Sequence, residues 1–194
     1  MRTVASKSFN RFKLLAGIVL IMIVVQIINS QFGYALNQFG IIPRTTSGLL
    51  HIPLSCWIHG SWSHLFANLP PFIILSTLIL ARSHRDYLFG STLIIVFSGL
   101  LLWLFGRTGS HIGASGWVFG LWSWLVANAF YRRRFIDIVV GLGVLVYYGL
   151  TMFMNMLPLH SYVSYDGHIT GAIAGVLTAL TLHKLTVTRN NTYR

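Results

Sequence analysis

The sequence predicts an all-α membrane protein whose single domain contains six transmembrane helices. Of its 194 residues, 55% are hydrophobic and only 9% are charged, and the mean hydropathy is +0.69. The apolar runs approach the roughly 20 residues that a helix needs to cross a bilayer. Lys and Arg residues are concentrated in alternate connections between these runs, as in chains that cross a membrane repeatedly. The composition therefore excludes a soluble domain.

Six apolar runs give the approximate predicted spans. The first run follows a basic segment, as the apolar part of a signal peptide does, but it is long and no clear small-residue cleavage site follows it, so we expect a retained helix. No internal repeat or long linker divides the chain, so residues 1–194 are expected to form one domain. In chain order, the predicted spans cover residues 14–30, 57–80, 88–105, 112–130, 136–156 and 168–182.

The positive charges predict how the chain is oriented in the membrane. Of the 14 Lys and Arg residues, all except Arg44 and Arg107 fall in the amino-terminal segment, the connections after the second and fourth spans, or the carboxyl-terminal tail. Because cations in short loops stay on the cytoplasmic side, both termini are predicted to be cytoplasmic and the protein to lie in the cell's inner (plasma) membrane. The net charge of +11 then reflects topology and contact with anionic lipid headgroups, and no nucleic acid partner is expected.

The longest irregular segment, residues 31–56, lies outside in this topology and is expected to rest on the membrane interface. Cys56 is the sole cysteine, which excludes an intramolecular disulfide and a cysteine-based zinc site, and we expect it to be a packing residue. His51, His111 and His160 are expected to be loop or interface residues, because no acidic or cysteine residues accompany them. We expect no metal and no cofactor.

Four polar residues within the predicted spans are candidates for function, because polar groups in lipid are costly unless they are paired or functional. They are His64, Asn68, Ser115 and His168, and all fall in the outer halves of their spans. His64 and Asn68 are four residues apart, about 40° around a helix, so they share one face. Hydrogen bonds that hold helices together are the alternative explanation for each of them.

Glycines beside Ser115 and His168 predict that the fourth and sixth spans pack closely. Gly116 and Gly120 form a small patch on the fourth span, and two glycines follow His168 on one stripe of the sixth. Small residues let membrane helices approach each other, which would bring Ser115 within hydrogen-bond reach of His168. An imidazole that accepts the hydroxyl proton is the minimum for an activated serine. The residues alone leave two interpretations open, a packing interface or a nucleophile.

Three motifs in separate spans resemble those of the rhomboid intramembrane serine proteases. The second span matches His-x-x-x-x-His-x-x-x-Asn, the fourth begins with Gly-x-Ser-Gly, and the sixth matches His-x-x-Gly-x-x-x-Gly. The Gly-x-Ser-Gly motif alone is weakly specific, but all three occur in order and in the corresponding helices. The matching residues are His59, His64, Asn68, Gly113, Ala114, Ser115, Gly116, His168, Gly171 and Gly175.

The resemblance implies a six-helix rhomboid-like bundle with a Ser-His dyad. Ser115 would be the nucleophile and His168 the general base and acid. His64, Asn68 and the backbone N–H of Ser115 would hold the oxyanion, which needs preorganised donors in a low-dielectric site. Phe119 would stack on the histidine ring, although an aromatic side chain that faces lipid or the core is an equal alternative for it.

No third member of a catalytic triad is evident. Asp166 lies two residues before His168, about 200° around a helix, and is expected to cap the sixth span. Asp86 and Asp137 are expected to be solvated at the cytoplasmic helix ends. The chain also lacks the Trp-Arg pair that many family members carry before the second span, so the role of its outer loop stays open.

The resemblance further implies that the protein cleaves single-span membrane proteins near their outer membrane boundary. A substrate helix must unwind locally, because a helical peptide bond is hydrogen-bonded and shielded. Lateral access is expected beside the fifth span, where Gly141, Gly143 and Gly149 would permit movement, with the loop from Pro158 to Asp166 as a cap.

Two other classes of function compete with the protease. One is a non-catalytic relative that binds membrane proteins through the same fold, which the presence of both Ser115 and His168 disfavours. The other is a small transporter or proton pathway built on the intramembrane histidines. The sequence has no acidic residue at mid-membrane and no inverted repeat, which disfavours the transporter.

Overall fold

Five long helices have the length and apolar composition needed to cross a membrane. In the computed structural model, which describes residues 4–159 and 164–192 and the side chains of residues 11–159 and 164–188, they cover Arg11–Gln31, Trp62–Leu80, His84–Phe105, Phe135–Asn155 and Tyr165–Thr188. A further helix of 17 residues, Ser115–Tyr131, lies among them and corresponds to the predicted fourth span. The chain is therefore a multi-pass membrane protein, as its composition predicts.

The long helices end close to the predicted boundaries, and local capping residues set two of the displaced starts. The second predicted span begins its helix only at Trp62, because Ser61 caps it by accepting the His64 N–H. The third begins earlier, at His84, where Ser83 accepts the Asp86 N–H. In chain order the helices are α1 (Val4–Gln31), α2 (Thr46–Leu50), α3 (Ile52–Ser55), α4 (Trp62–Leu80), α5 (His84–Phe105), α6 (Ser115–Tyr131), α7 (Phe135–Asn155) and α8 (Tyr165–Thr192).

Helix α6 is the centre of the bundle and packs against α4, α5, α7 and α8. Its side chains Leu121, Trp124 and Leu125 are almost fully buried. Helix α8 lies so close to α6 that a Cβ atom on Gly171 would overlap the Gly116 carbonyl group. The predicted close packing of the fourth and sixth spans is confirmed, and it depends on the absence of side chains at this seam.

The segment between α1 and α4 is folded against the ends of the helices. It contains a 3₁₀ helix, Ala35–Phe39, followed by α2 and α3. The side chain of Asn29, at the end of α1, accepts the Leu36 N–H at 2.9 Å and donates to the His59 carbonyl at 3.2 Å. Trp103 of α5 donates its indole N–H to the Thr45 carbonyl at 2.7 Å. These bonds hold the segment over the end of the bundle at which α6 and α8 begin.

The opposite end of the bundle, which we call the basic end, carries Arg82 and residues 132–134. There Arg82 forms an ion pair with Asp137, whose side chain is 2% exposed, and Arg132 pairs with Asp86 at 3.3 Å. The expectation that both acids are solvated is therefore wrong for Asp137, because the turn after α4 carries Arg82 onto the first turn of α7. A carboxylate there also interacts favourably with the amino-terminal end of that helix.

Candidate active site

Ser115 is the first residue of α6, and the glycine two residues before it allows this position. Gly113 has φ +115°, in the region that favours glycine. A Cβ at Gly113 would lie 2.6 Å from Cε1 and 2.7 Å from Nε2 of the His64 ring. The first glycine of the Gly-x-Ser-Gly motif thus serves both the backbone turn and the close approach of His64.

His59 holds the loop that precedes the serine. Its Nε2 accepts the Ala114 N–H at 3.2 Å, and the neighbouring Gly113 N–H donates to the Ser55 carbonyl at 3.0 Å. Burial, and secondarily the nearby His64, lower the pKa of His59 to about 3. His59 is therefore a neutral acceptor that fixes the loop before Ser115. The sequence motif contained this residue but did not indicate its role.

His168 lies one turn inside α8 and is 7% exposed. Its Nδ1 is 2.7 Å from the backbone carbonyl oxygen of Asn155, at the end of α7. A carbonyl only accepts, so Nδ1 carries the proton and Nε2 is left as the acceptor of the neutral ring. The Phe119 ring stacks on the imidazole with centroids 4.2 Å apart and planes 3° from parallel. These two contacts fix both the tautomer and the plane of the ring.

Ser115 and His168 lie on the two helices that pack together at the α6–α8 seam. A Cβ on Gly116 would lie 3.3 Å from the Gly167 carbonyl oxygen, which places the residues after Ser115 and before His168 in direct contact. Within the described part of the chain, no hydrogen bond joins the Ser115 hydroxyl to the imidazole. Catalytic hydrogen bonds are often long without substrate and tighten when it binds.

His64 faces the loop before Ser115, and Asn68 lies one turn further along the same side of α4. The Asn68 side chain is buried, and its Nδ2 donates to the His64 carbonyl at 2.9 Å. This bond uses one of the two N–H groups of the amide, so one donor remains. The His64 ring contacts the His59 ring edge to face, with centroids 5.0 Å apart, and rests on Gly113.

A cavity of about 40 Å³ borders Ser115 on the side of α3 and α5. Its lining residues include Ser98 and Thr170 beside Ser115. A cavity of this size has room for a water molecule, which needs about 10–15 Å³.

Comparison with known proteins assigns the chain to a family. A sequence model of the Rhomboid domain matches residues 46–185. The chain belongs to the rhomboid family. Proteins of Mycobacterium tuberculosis and Mycobacterium bovis are each 36% identical to it over 172 residues, 84% of this chain and 72% of the relative. A Mycobacterium leprae protein is 33% identical over 170 residues, 84% of this chain and 67% of the relative. All three are described as uncharacterized, so they supply no substrate.

The structure of this rhomboid protein corrects one expectation near the start of α8 and shows how His111 is held. Asp166 does not cap α8, because the Ser164 hydroxyl accepts the Gly167 N–H at 3.3 Å and Asp166 forms an ion pair with Arg107 at 3.1 Å. His111 lies in the loop between α5 and α6, as predicted, and is 6% exposed. It lies 2.7 Å from the Ser164 hydroxyl through Nδ1 and 3.0 Å from the Arg107 carbonyl through Nε2.

The other residues named in the sequence analysis of this rhomboid protein lie away from Ser115 and His168 in the chain, and their surroundings are as follows. His51 lies 3.1 Å from the Gly40 carbonyl through Nδ1, Cys56 is buried, and His160 lies outside the described residues. Gly141 packs against α6, where a Cβ would come within 2.9 Å of Ala129, whereas a Cβ on Gly143 would meet nothing. Within residues 4–159 and 164–192, no group of three His, Cys, Asp or Glu side chains is arranged to hold a metal ion.

Proposed function

We propose that this rhomboid protein is an intramembrane serine endopeptidase that uses Ser115 and His168 as a catalytic dyad. The observation that carries the proposal is the setting of His168. Its Nδ1 faces the Asn155 carbonyl, and its ring stacks on Phe119. Its helix, α8, packs directly against the start of α6, where Ser115 lies. A histidine that only joins helices does not need this control of tautomer and ring plane.

The reaction follows from these positions. His168 Nε2 accepts the hydroxyl proton as Ser115 Oγ attacks the substrate carbonyl carbon, and a tetrahedral oxyanion forms. The imidazolium then protonates the leaving nitrogen, the peptide bond breaks, and an acyl-enzyme remains on Ser115. Water, deprotonated by His168, attacks the ester and releases the second product. The cavity beside Ser115 has room for a water molecule close to the nucleophile, although His168 is not among its lining residues.

The oxyanion is stabilised at the amino terminus of α6. The N–H groups in the first turn of a helix have no partner inside the helix, and the helix dipole favours negative charge there. The backbone N–H of Ser115 belongs to that turn. His64 and the remaining Asn68 N–H add side-chain donors from α4. Loss of one such donor typically costs about 10²- to 10³-fold in rate.

The substrates of the proposed enzyme are single-span membrane proteins cut near the outer boundary of the membrane. The site lies at the end of the bundle opposite the basic end, and the basic end faces the cytoplasm of a cell with this protein in its plasma membrane. The peptide enters as a locally unwound strand, because a helical carbonyl is already hydrogen-bonded. Small residues at the cut are what the resemblance to rhomboid proteases implies.

A fluorophosphonate probe and a model single-span substrate with Ala, Gly and Ser residues at its outer boundary test the proposal on the purified full chain. The wild type should be labelled and should cleave the substrate, whereas Ser115→Ala should do neither. Ser123→Ala is the matched control, since Ser123 lies two turns further along α6 and bonds to the Ala172 carbonyl at 2.7 Å. It should retain label and cleavage. Cleavage by Ser115→Ala would refute the proposal, and a wild type that binds the substrate without labelling or cleavage would favour the non-catalytic relative.

A further inference from the structure

The Nδ1 atom of His168 is hydrogen-bonded to a backbone carbonyl and not to an acidic side chain. The sequence contains three Asp or Glu residues, and each pairs with an arginine: Asp86 and Asp137 at the basic end, and Asp166 with Arg107. The Asn155 carbonyl oxygen occupies the place beside Nδ1 instead. We propose that this carbonyl, at the end of α7, is the positioning group of the dyad and does the work of the aspartate in a Ser-His-Asp triad. The proposal rests on the proposed function.

The end of α7 leaves this carbonyl available. The backbone N–H groups that follow the helix donate elsewhere, that of Met156 to the Phe153 carbonyl at 3.0 Å and that of Leu157 to the Met154 carbonyl at 3.2 Å. The last carbonyls of a helix have no partner within it and carry about half a negative charge together. The group beside Nδ1 therefore combines an acceptor of fixed direction with an electrostatic field that favours the imidazolium formed during attack.

Because α7 carries this acceptor, the position of α7 controls the histidine. The helix is held at its start by the ion pair of Asp137 with Arg82 and along its length by α6, where Trp122 donates to the Val144 carbonyl at 3.3 Å. Its other face is open to lipid, with Val146 84% and Leu150 75% exposed. Outward displacement of the end of α7 would remove the acceptor from Nδ1 and release the imidazole from its productive orientation.

Replacement of one backbone amide by an ester tests the carbonyl directly. An α-hydroxy analogue of methionine at position 156 converts the Asn155–Met156 amide into an ester, which makes the Asn155 carbonyl a weaker acceptor and deletes the Met156 N–H bond. An ester at Leu157 is the matched control, because it deletes the equivalent turn bond but leaves the Asn155 carbonyl an amide. We expect about a tenfold lower kcat with unchanged KM for the first ester, and less than about a twofold change for the second.

A spectroscopic measurement separates positioning from a merely structural effect. In a Ser115→Ala background with ¹⁵N-labelled histidine, the Nδ1 proton of His168 should resonate far downfield and be absent from His168→Ala. The ester at position 156 should move this resonance upfield, and the ester at 157 should leave it in place. This measurement needs no turnover.

The two failures are distinguishable. Equal rates for the two esters, with an unmoved Nδ1 resonance, overturn the inference while wild-type cleavage leaves the protease standing. A wild type that neither labels nor cleaves overturns the proposed function, and with it a catalytic meaning for the Asn155 carbonyl.

Discussion

A single methyl group added at Gly171 should disable the site without touching a proposed catalytic residue. The Cβ of Gly171→Ala would overlap the Gly116 carbonyl oxygen and lie 2.9 Å from both the carbonyl carbon and the Cα of Gly116. Ordinary contacts between carbon atoms are about 3.5–4.0 Å, so α6 and α8 must separate by roughly 0.5–1 Å. The obstructing atoms are backbone and cannot rotate away.

The separation acts on both stability and rate. Overpacking of this kind costs about 1–3 kcal/mol, and a misplacement of about 1 Å in reacting groups costs about 10²-fold in rate. We therefore expect Gly171→Ala to lower the unfolding temperature in detergent micelles and to lower kcat for the model substrate by about 10²-fold at a temperature where the variant is still folded.

The matched control is Gly17→Ala in α1, because a Cβ there meets no atom within 4 Å. Ala in place of Gly inside a helix stabilises by about 0.5–1 kcal/mol, so this variant should be as active as the wild type and slightly more stable. A folded Gly171→Ala protein with wild-type kcat would refute the argument that close approach of the two helices sets the geometry of the dyad.

Three further variants test separate contacts. Phe119→Leu removes an aromatic stacking worth about 0.5–1.5 kcal/mol and should lower kcat up to about tenfold, whereas Phe119→Tyr should retain most activity in the same assay. His59→Ala leaves the buried Ala114 N–H without an acceptor and should lower the free energy of unfolding by about 1–3 kcal/mol in denaturant titrations. The pKa of His59 falls from 6.5 to about 3 on folding, so the unfolded chain takes up the proton first as the pH drops. The free energy of unfolding should therefore decrease below about pH 6.5, and it should decrease less steeply in His59→Ala. Arg82→Ala leaves the buried Asp137 carboxylate without its partner and should lower the free energy of unfolding by about 3–5 kcal/mol in the same titrations. The double variant Arg82→Ala, Asp137→Leu should recover much of that loss.

The sequence predicted the spans well because long apolar runs and segregated cations are direct consequences of the bilayer. It located the helix starts less well, although Ser83 followed three residues later by Asp86 is a recognisable helix-start pattern. The close seam between α6 and α8 was also predictable, since glycines at helical spacing have few other uses in a membrane.

Other features of the site had no sequence signal. Every residue has a carbonyl, so nothing in the chain marks that of Asn155 as the partner of His168. The pairing of Arg82 with Asp137 spans 55 positions and depends on how α4 and α7 pack. Asp166 was predicted to be a cap from its place alone, whereas the tertiary fold gives it Arg107 as a partner.

The hydrogen bonds that run from Asn29 through His59 to the loop before Ser115 begin outside the segment that the family model matches. The matched Rhomboid domain begins at residue 46, after α1 has ended. Yet the Asn29 side chain holds the His59 carbonyl, and the His59 ring holds the N–H that directly precedes Ser115. A fragment that began at residue 46 would contain all three motifs. It would lack Asn29, which holds the His59 carbonyl. The segment that the family model matches is thus smaller than the unit that these hydrogen bonds hold together.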